Sequence, residues 1–341
     1  MPGKPGQKVN IAEVARIAGV SKMTVSRMLN HKAKVAPDTR KKVQKVMDEL
    51  KYQPSPFARG LASQKSRILG IMIFDGMNMD FLTPIFLGIE HEARINGYDL
   101  LIFSNPEKDK ESHSLSFVDG VLCFGYEMDN VAVENLEKRN IPYAVIGKRQ
   151  WRKASPWYCT MDYFNGYRKR AAHLIGMGHR KMAFMGGLSS YYVDTEKYDG
   201  FHAAFQEAGL SPKNSLILHD GDVSNFRESI EQFRPTAVFL ENTVYPFPFL
   251  FCVKELGLKI PEDISVIYTR SDFIDSHTLF NLAGIHELTQ LAVPRRELGI
   301  AGLRLLLKLI DGENDIPKEQ LLELQFFEGE SCAPPPLRKR T

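Results

Sequence analysis

The sequence of 341 residues has few cysteines and tryptophans, and it lacks any long hydrophobic run. A membrane-spanning helix needs about 18 consecutive apolar residues, and a secretory signal needs an apolar segment behind its basic start. Neither is present, so we expect a cytoplasmic protein without a membrane partner. The four cysteines are far apart and form no Cys-x-x-Cys pair, which argues against a zinc site and a disulfide framework.

The common catalytic motifs are also missing. The sequence contains no Gly-x-Ser-x-Gly turn, no Gly-x4-Gly-Lys phosphate loop and no His-Glu-x-x-His metal motif. His173 and His179 are separated by two glycines and do not share a helix face. We therefore predict that the protein is not an enzyme and holds no metal or cofactor, although it can still bind a small molecule.

Charge is distributed unevenly along the chain, although the net charge is only +3. The first 67 residues contain 15 Lys and Arg against 4 Asp and Glu, which gives a net charge of +11. The remaining residues contain 29 Lys and Arg against 37 Asp and Glu, which gives −8. A strongly cationic module at one end is what the neutralisation of nucleic-acid phosphates requires.

Residues 11–30 have the pattern of two short helices joined by a tight turn. Ala15 is small where the helices cross, Gly19 can adopt the left-handed backbone of the turn, and Val25 fills the seam. Ser21 is placed to cap the second helix. These features predict a helix-turn-helix, which lays its second helix in the DNA major groove. An ordinary amphipathic helix pair is the alternative, and the charge of +11 disfavours it.

The outer face of the second helix presents Lys22 and Met23 at its start and Arg27 one turn further on, where base edges lie in this docking geometry. A third helix begins near Pro37 and closes the headpiece with apolar residues at helical spacing. Ser55 and Pro56 can then start a short hinge helix, which needs outside support to persist in water.

From residue 68 onward, short apolar strands alternate with helices, which predicts parallel sheets covered on both faces. This region is too long for one sheet, so we expect two doubly wound lobes with a ligand crevice between them. The predicted domains are the headpiece over 1–53, the hinge helix over 54–66, the core over 67–333 and a tail over 334–341. Within the core we assign 67–162 and 287–315 to the first lobe, and 163–286 and 316–333 to the second.

The segment from Val9 to Asn30, the hinge with Leu61, and the later motifs Gly178-His-Arg-Lys, Tyr198-Asp-Gly-Phe and Ile260-Pro-Glu-Asp-Ile-Ser-Val-Ile resemble the lac and galactose repressor family. The resemblance runs nearly from end to end, and the headpiece motif is highly specific. It implies an all-α headpiece and hinge helix before an α/β core that is similar to periplasmic binding proteins. It also implies a homodimer or tetramer on a near-palindromic DNA operator, with a small-molecule effector.

The resemblance also assigns roles in DNA binding. Lys22, Met23 and Arg27 match base-reading positions, where Arg27 suits guanine and Met23 suits a thymine methyl group. A surface methionine without DNA contact is the alternative for Met23. The positions that match contacts to phosphates or to other parts of the DNA are Ser21, Thr24, Ser26, Asn30, Lys34, Thr39 and Tyr52.

In the hinge, Leu61 matches a leucine that wedges into a minor-groove step and kinks the duplex, and Ala58 lies one turn before it. An effector that moves the lobes would permit or prevent the ordering of this helix, and so shift the affinity for DNA. Packing of Leu61 against the lobe is the alternative interpretation.

The sequence departs from the family in the effector crevice. Many relatives have an arginine and an aspartate there, which suit sugar hydroxyl groups, whereas this sequence has Lys197 and Arg270. Two cations in one dry cleft repel unless an anion joins them, so we predict a phosphate- or carboxylate-bearing sugar derivative. Pairing of Arg270 with Asp272, Asp75 or Glu241 is the alternative, and it requires no anion.

Further crevice candidates are Asp75 and Phe81 after the first strand and Asn242 after a later one. The aromatic ring of Phe81 could stack on a sugar. We expect a dimer rather than a tetramer because the tail has no leucine heptad. A candidate interface is the helix containing Pro84, Ile85, Leu87 and Ile89, with packing against its own lobe as the alternative.

Two rival functions are considered beside an operator-binding regulator. A two-lobed core of this kind also serves solute-binding proteins, but these carry a signal peptide in place of a headpiece. A protein co-effector could also replace the small molecule. Among regulators, the family implies repression more often than activation.

Overall fold

The structure is a computed structural model that describes residues 9–29, 35–52, 65–74, 79–103, 113–125, 130–148, 156–186, 192–218, 225–241, 246–270, 276–313 and 315–336. The headpiece helices are α1 (Ile11–Ala18), α2 (Lys22–Leu29) and α3 (Pro37–Glu49). The core begins with β1 (Ile68–Ile73), α4 (Met79–Ile95), β2 (Asp99–Phe103), β3 (Gly120–Phe124), α5 (Asn130–Lys138), β4 (Tyr143–Ile146) and β5 (Tyr158–Met161).

The chain continues with α6 (Tyr163–Gly176), β6 (Met182–Met185), α7 (Tyr192–Glu207), β7 (Ser215–Leu218), α8 (Phe226–Phe233), β8 (Ala237–Leu240), α9 (Pro246–Glu255) and β9 (Ser265–Thr269). The last elements are α10 (Ser276–Leu282), β10 (Gln290–Ala292), α11 (Arg295–Ile310), β11 (Glu319–Leu322) and β12 (Gln325–Phe327). None of the described helices combines the length and the apolar character that crossing a membrane requires.

Local signals at the helix ends shape the headpiece. Asn10 caps α1, because its side-chain oxygen accepts hydrogen bonds from two backbone N–H groups of the first turn at 3.0 and 3.1 Å. Gly19 ends α1 in the left-handed conformation, with φ 61° and ψ 37°, as predicted. The Ser21 Oγ accepts a hydrogen bond of 3.0 Å from the backbone N–H of Thr24, so Ser21 caps α2, which was also predicted.

A small apolar core holds the three headpiece helices together. Val14, Val25 and Val43 have no exposed surface. Burial of an aliphatic side chain contributes about 1.5–3 kcal/mol, so these short helices depend on this shared core more than on their own propensity. The buried members are Val14, Ala15, Ala18, Val25, Met28, Val43, Val46 and Met47, with Val20, Leu50 and Tyr52 partly buried against them.

The core contains two six-stranded sheets. The first has the strand order β11-β5-β4-β3-β1-β2 and is entirely parallel. The second has the order β12-β10-β9-β8-β6-β7, in which β12 alone of the described strands runs antiparallel. Every residue of β3 and β8 is buried, as expected for strands covered on both faces. The core therefore has two doubly wound lobes, which confirms the predicted fold class.

The strands correct the predicted lobe boundaries near the end of the chain. We assigned 287–315 to the first lobe, but β10 (290–292) pairs with β9 in the second sheet. We assigned 316–333 to the second lobe, but β11 (319–322) pairs with β5 in the first sheet. The chain therefore crosses between the lobes after Ala292 and again after Leu322. With the crossing after Met161, three connections join the lobes in the described part of the chain.

Glycines allow helices to cross closely in both lobes. In the first lobe, a Cβ at Gly88 of α4 would lie 2.1 Å from the carbonyl oxygen of Arg296, and one at Gly299 of α11 would lie 2.1 Å from that of Ile85. In the second lobe, a Cβ at Gly200 of α7 would lie 2.2 Å from the carbonyl oxygen of Phe164 in α6. Backbone meets backbone at both crossings, so each helix pair packs as one unit.

The inner face of α4 packs against its own lobe. Ile85 and Ile89 have no exposed surface and belong to the main apolar core, whereas Leu87 is 53% exposed. Ile85 and Ile89 were considered for a dimer interface, but they pack inside their own lobe, which was the alternative. Glu92 on the same helix forms two hydrogen bonds of 3.0 and 3.1 Å with the guanidinium of Arg304 on α11, which adds a polar contact to the crossing.

Candidate nucleic-acid interface and effector crevice

The outer face of α2 carries the three residues predicted to read bases. Lys22, Met23 and Arg27 are all exposed, and Met23 is 62% exposed. Val25 and Met28 on the opposite face are buried in the headpiece core. This division leaves the outer face available to enter a major groove without any change in headpiece packing.

The described residues predicted to contact other parts of the DNA lie in or beside α2 and near the two ends of α3. Ser21 and Thr24 stand at the start of α2, and their hydroxyl groups are 2.9 Å apart. Ser26 and Thr39 are half-buried. Tyr52 packs on the headpiece core, and burial raises the pKa of its hydroxyl group, which therefore stays a neutral donor. Four predicted residues lie outside the described residues: Asn30, Lys34, Ala58 and Leu61.

The structure describes only part of the predicted effector site. Lys197 lies in α7, and Arg270 directly follows β9. Phe81 lies in α4, but its side chain is outside the described part of the structure. Asp75 and Asn242 lie outside the described residues.

Lys197 is paired with two carboxylates of its own lobe. Its Nζ lies 3.0 Å from Oε2 of Glu241 and 3.4 Å from Oδ1 of Asp194. Glu241 was considered as a partner for Arg270, but in the structure it pairs with Lys197. The expectation of two uncompensated cations in one cleft is therefore wrong for Lys197, because its charge is balanced within the protein.

The other carboxylate oxygen of Glu241 accepts short hydrogen bonds from the hydroxyl groups of Tyr167 and Thr269. These two hydroxyl oxygens are 3.1 Å apart. The Nζ of Lys197 also lies 6.0 Å from the centre of the Tyr167 ring. We call Asp194, Lys197, Glu241, Tyr167 and Thr269 the second-lobe polar cluster. Removing one partner from such a buried group costs about 3–5 kcal/mol, because an uncompensated charge remains.

The cluster holds its members in fixed protonation states. Burial acts to lower the pKa of Lys197, but the carboxylates of Glu241 and Asp194 outweigh it and raise that pKa well above its usual value. Burial, reinforced by the charge of Glu241, raises the pKa of Tyr167 well above its usual value. At neutral pH Lys197 is therefore a cation and Tyr167 a neutral donor.

Sequence reasoning missed Tyr167 and Thr269 as members of this cluster. One signal was available, because Glu241 and Thr269 are polar residues at the carboxyl ends of the buried strands β8 and β9, which are neighbours in the sheet. Polar groups at such ends meet at the edge of a parallel sheet, where ligands bind. Tyr167 has no comparable local signal, because it lies inside α6.

Arg270 lies at the same edge but outside the cluster. It is exposed and forms no salt bridge with the described part of the chain. Its carbonyl oxygen accepts a hydrogen bond of 3.5 Å from Nη1 of Arg295 in α11, which belongs to the first lobe. The other two partners considered for Arg270, Asp75 and Asp272, lie outside the described residues.

An ion pair connects the lobes across the crevice. Lys148 follows β4 of the first lobe, and its Nζ lies 3.0 Å from Oε1 of Glu196 in α7 of the second lobe. The same Nζ lies 3.4 Å from Oε1 of Glu319 in β11. Burial raises the pKa of Glu196, and the hydrogen bond from Lys148 opposes that shift.

The described residues contain no group of three or more His, Cys, Asp or Glu that could hold a metal ion. Cys123, Cys159 and Cys252 are free and buried. Burial raises the pKa of Cys159 to about 12, so its thiol stays protonated and unreactive.

A basic helix-turn-helix joined to a two-lobed core with a polar crevice defines a class of two-part DNA-binding protein. Residues 10–55 match the model of bacterial regulatory proteins of the lacI family, and residues 171–332 match that of a periplasmic binding protein-like domain. Catabolite control protein A of Priestia megaterium is 30% identical over 318 residues, which cover 89% of this chain and 93% of the relative. The chain belongs to the lacI family of bacterial regulatory proteins, whose members are regulators rather than enzymes.

Solved structures agree with this fold. A lac repressor dimer bound to operator and the anti-inducer ONPF is 24% identical, with a TM-score of 0.77 and coverage of 96% of this chain and 100% of that one. A complex of the transcriptional regulator CelR with cellobiose is also 24% identical, with a TM-score of 0.64 and coverage of 95% and 99%. Both likenesses extend over the headpiece and the two-lobed core.

Proposed function

We propose that this protein is a transcriptional repressor that binds a near-palindromic operator as a homodimer, and that a small molecule in the crevice controls its affinity for DNA. The observation that carries the proposal is the exposed face of α2, on which Lys22, Met23 and Arg27 lie opposite a buried apolar face. Because chromosomal DNA is the proposed partner, the protein acts in the cytoplasm.

In this proposal the three side chains divide the task of base recognition. Arg27 donates two hydrogen bonds to one guanine, and Lys22 donates to a second acceptor near the start of the helix. Met23 has no strong donor or acceptor, so it contacts a thymine methyl group. Leu61 of the hinge wedges into the minor groove, with Ala58 on the same face, and kinks the operator.

Exposed apolar side chains in the second lobe support a dimer. Phe247 and Phe251 are 60% and 64% exposed one turn apart on α9, and Leu282 at the end of α10 is 84% exposed. Each such side chain gains about 1.5–3 kcal/mol when it leaves water. Aromatic residues of this kind are enriched where protein surfaces meet. A two-fold dimer would then present two headpieces to two half-sites.

A carbohydrate or an anionic carbohydrate derivative is proposed as the effector. The CelR complex contains cellobiose, which supports this class for a protein with the same fold. The polar edge of the second-lobe sheet, with Arg270 beside it, supports a polar ligand. Asp75, Phe81 and Asn242 are proposed to line the same crevice. A protein co-effector, or a two-lobed receptor that binds no operator, remains as the alternative function.

The operator proposal can be tested by selecting bound duplexes from a random library with the full-length protein at moderate salt. We expect a near-palindromic consensus. Arg27→Ala should cost about 1–3 kcal/mol in binding and relax the preference at one base pair in each half-site. Arg16→Ala is a matched control, because Arg16 is exposed on α1 and pairs only weakly with Glu13 at 3.9 Å. The Arg16→Ala variant should select the same operator consensus as the unmodified protein.

Two results would contradict the proposal. If selection yields no consensus, the protein is not a sequence-specific regulator, and a two-lobed receptor remains. If Arg27→Ala weakens binding to all sequences equally, Arg27 contacts phosphate only and base recognition must lie elsewhere.

A further inference from the structure

The chain enters the first lobe through residues 65–68, which we call the entry segment. Its last residue, Ile68, is the first residue of β1. Residues 53–64, which connect the entry segment to the headpiece, lie outside the described residues. The headpiece is joined to the core only through this connection, so the point and direction in which the chain leaves the lobe limit where the headpiece can reach.

The carboxylate of Asp119 holds the entry segment on the first lobe. Asp119 stands directly before β3. Its Oδ1 accepts hydrogen bonds from the backbone N–H and from the hydroxyl group of Ser66, at 2.6 and 2.9 Å. Its Oδ2 accepts a hydrogen bond of 3.0 Å from the backbone N–H of Arg67. One side chain therefore binds three donors on two consecutive residues, which fixes the segment in direction as well as in position.

The backbone of the entry segment has an uncommon conformation that its contacts maintain. Arg67 has a φ of 60°, in the left-handed region that residues other than glycine rarely adopt. Such a conformation persists only where the surrounding structure holds it, and it is found most often at functional sites. The carbonyl oxygen of Arg67 accepts a hydrogen bond of 2.9 Å from the N–H of Asp99, and the Ser66 hydroxyl accepts one of 3.1 Å from the N–H of Ile68.

The other contacts of the entry segment lie further out and are weaker. The guanidinium of Arg67 lies 5.1 Å from the centre of the Tyr98 ring. The Nζ of Lys65 lies 2.7 Å from Oδ1 of Asp311, and these side chains are 41% and 59% exposed. Exposed ion pairs contribute little and are screened by salt. The half-buried carboxylate of Asp119 is therefore the main side-chain contact that holds the segment.

We propose that Asp119 is a positioning residue for operator binding, because it fixes the point and direction in which the chain leaves the first lobe towards the headpiece. The inference rests on the proposed homodimeric repressor. It adds a residue that contacts no DNA and acts through Ser66 and Arg67.

The physical basis of the proposal is the effective concentration of the second headpiece. When one headpiece of a dimer is bound, the other meets its half-site at a concentration that falls as the connection becomes longer and looser. Loss of the Asp119 carboxylate frees the entry segment in both protomers, which lengthens both connections and removes their fixed starting direction. Operator binding then weakens, and the dimer tolerates half-sites at a wider range of separations.

The test measures DNA binding of the full-length protein by fluorescence anisotropy at constant salt. The duplexes are the selected operator, the same operator with one base pair inserted or removed at its centre, a duplex with a single half-site, and a random duplex. The variants are Asp119→Ala and Asp119→Asn. The matched control is Asp99→Ala, which removes the same charge from an exposed position in the same lobe and leaves the backbone hydrogen bond to Arg67 intact.

We expect Asp119→Ala to raise the dissociation constant for the selected operator by about tenfold or more. Binding to the single half-site and to random DNA should stay within about twofold, because those contacts require no fixed distance between headpieces. The loss caused by one inserted or removed base pair should be smaller in Asp119→Ala than in the unmodified protein. Asp119→Asn keeps one acceptor oxygen and should lie between them, and Asp99→Ala should bind as the unmodified protein does.

An equal loss on all four kinds of duplex, or an unchanged dependence on half-site separation, would overturn the inference. A lower Tm with unchanged operator binding would also overturn it, because Asp119 would then stabilise the lobe only. If Asp119→Ala does not fold, Asp119→Asn decides by the same criteria.

The unmodified protein separates this failure from that of the proposed function. If it selects no operator, the proposed repressor is wrong and the positioning role falls with it. If it selects an operator, but Asp119→Ala depends on half-site separation as the unmodified protein does, only the positioning role is lost.

Discussion

The close helix crossing of the first lobe leads to a sharp prediction about stability. Gly88 and Gly299 face the opposite backbone, so alanine at either position should force α4 and α11 apart. Gly176, the last residue of α6, has no heavy atom within 4 Å of the place where a Cβ would stand. The same substitution at Gly176 therefore changes helix propensity without any clash.

The size of the effect follows from the distances. A Cβ at Gly88 or Gly299 would lie 2.1 Å from a carbonyl oxygen, whereas ordinary contact begins at 3.4 Å, so the helices must separate by about 1.3 Å. Overpacking costs about 1–3 kcal/mol and can exceed this where backbone meets backbone. Alanine also has a higher helix propensity than glycine, which offsets up to about 1 kcal/mol of this cost. We expect a net loss of at least about 2 kcal/mol, which lowers the Tm by roughly 4–8 °C for a lobe of this size.

Scanning calorimetry of the full-length variants measures this effect. Gly299→Ala and Gly88→Ala should lower the Tm, and Gly176→Ala should leave it unchanged or raise it slightly. Equal Tm values for Gly299→Ala and Gly176→Ala would refute the reasoning, because the crossing would then tolerate a methyl group. Gly200→Ala extends the test to the second lobe, where a Cβ would lie 2.2 Å from a carbonyl oxygen.

Three further predictions concern the headpiece, the second lobe and the crevice. Ser21→Ala should reduce hydrogen-exchange protection in α2 by about 1 kcal/mol through loss of its cap, whereas Ser21→Asn should retain it; equal protection would exclude a capping role. Burial lowers the pKa of His179, so the folded state favours the neutral imidazole, and the free energy of unfolding should fall as the pH drops below about 6.5. His179→Gln should make the free energy of unfolding, measured by denaturant titration, depend less on pH. An unchanged pH dependence in this variant would contradict the prediction. Lys148→Met and Glu196→Gln should show a coupling of up to about 1 kcal/mol in a double-mutant cycle, weakened by salt; additive effects would mean that this interlobe pair contributes nothing.

The headpiece was predictable because its determinants are local. Gly19, Ser21 and Pro37 each mark a helix end within a few residues of the helix they affect, and the structure places all three as expected. The outward orientation of Arg27 follows from the same short-range periodicity. No distant residue had to be known.

The predicted lobe boundaries near the end of the chain were wrong because their determinants are not local. β11 alternates between exposed and half-buried residues and has no buried apolar run, and its partner β5 lies far away in the sequence. β10 has only three residues. The hydrophobic pattern of such short or half-exposed strands does not indicate which sheet they join, because their pairing depends on residues that are distant in the sequence.

The effector crevice lies between these extremes. The sequence marked Lys197 and Arg270 as unusual cations and included Glu241 among the acids nearby. It could not show that Glu241 pairs with Lys197, since the two residues approach only when α7 packs beside the end of β8.

The three backbone connections between the lobes have a consequence for proteolysis. A protease that cleaves the chain at only one of them, for instance beside Pro294, leaves two intact links and a shared apolar core. The nicked molecule should therefore elute as a single particle of unchanged size under native conditions and separate into two fragments only in denaturant.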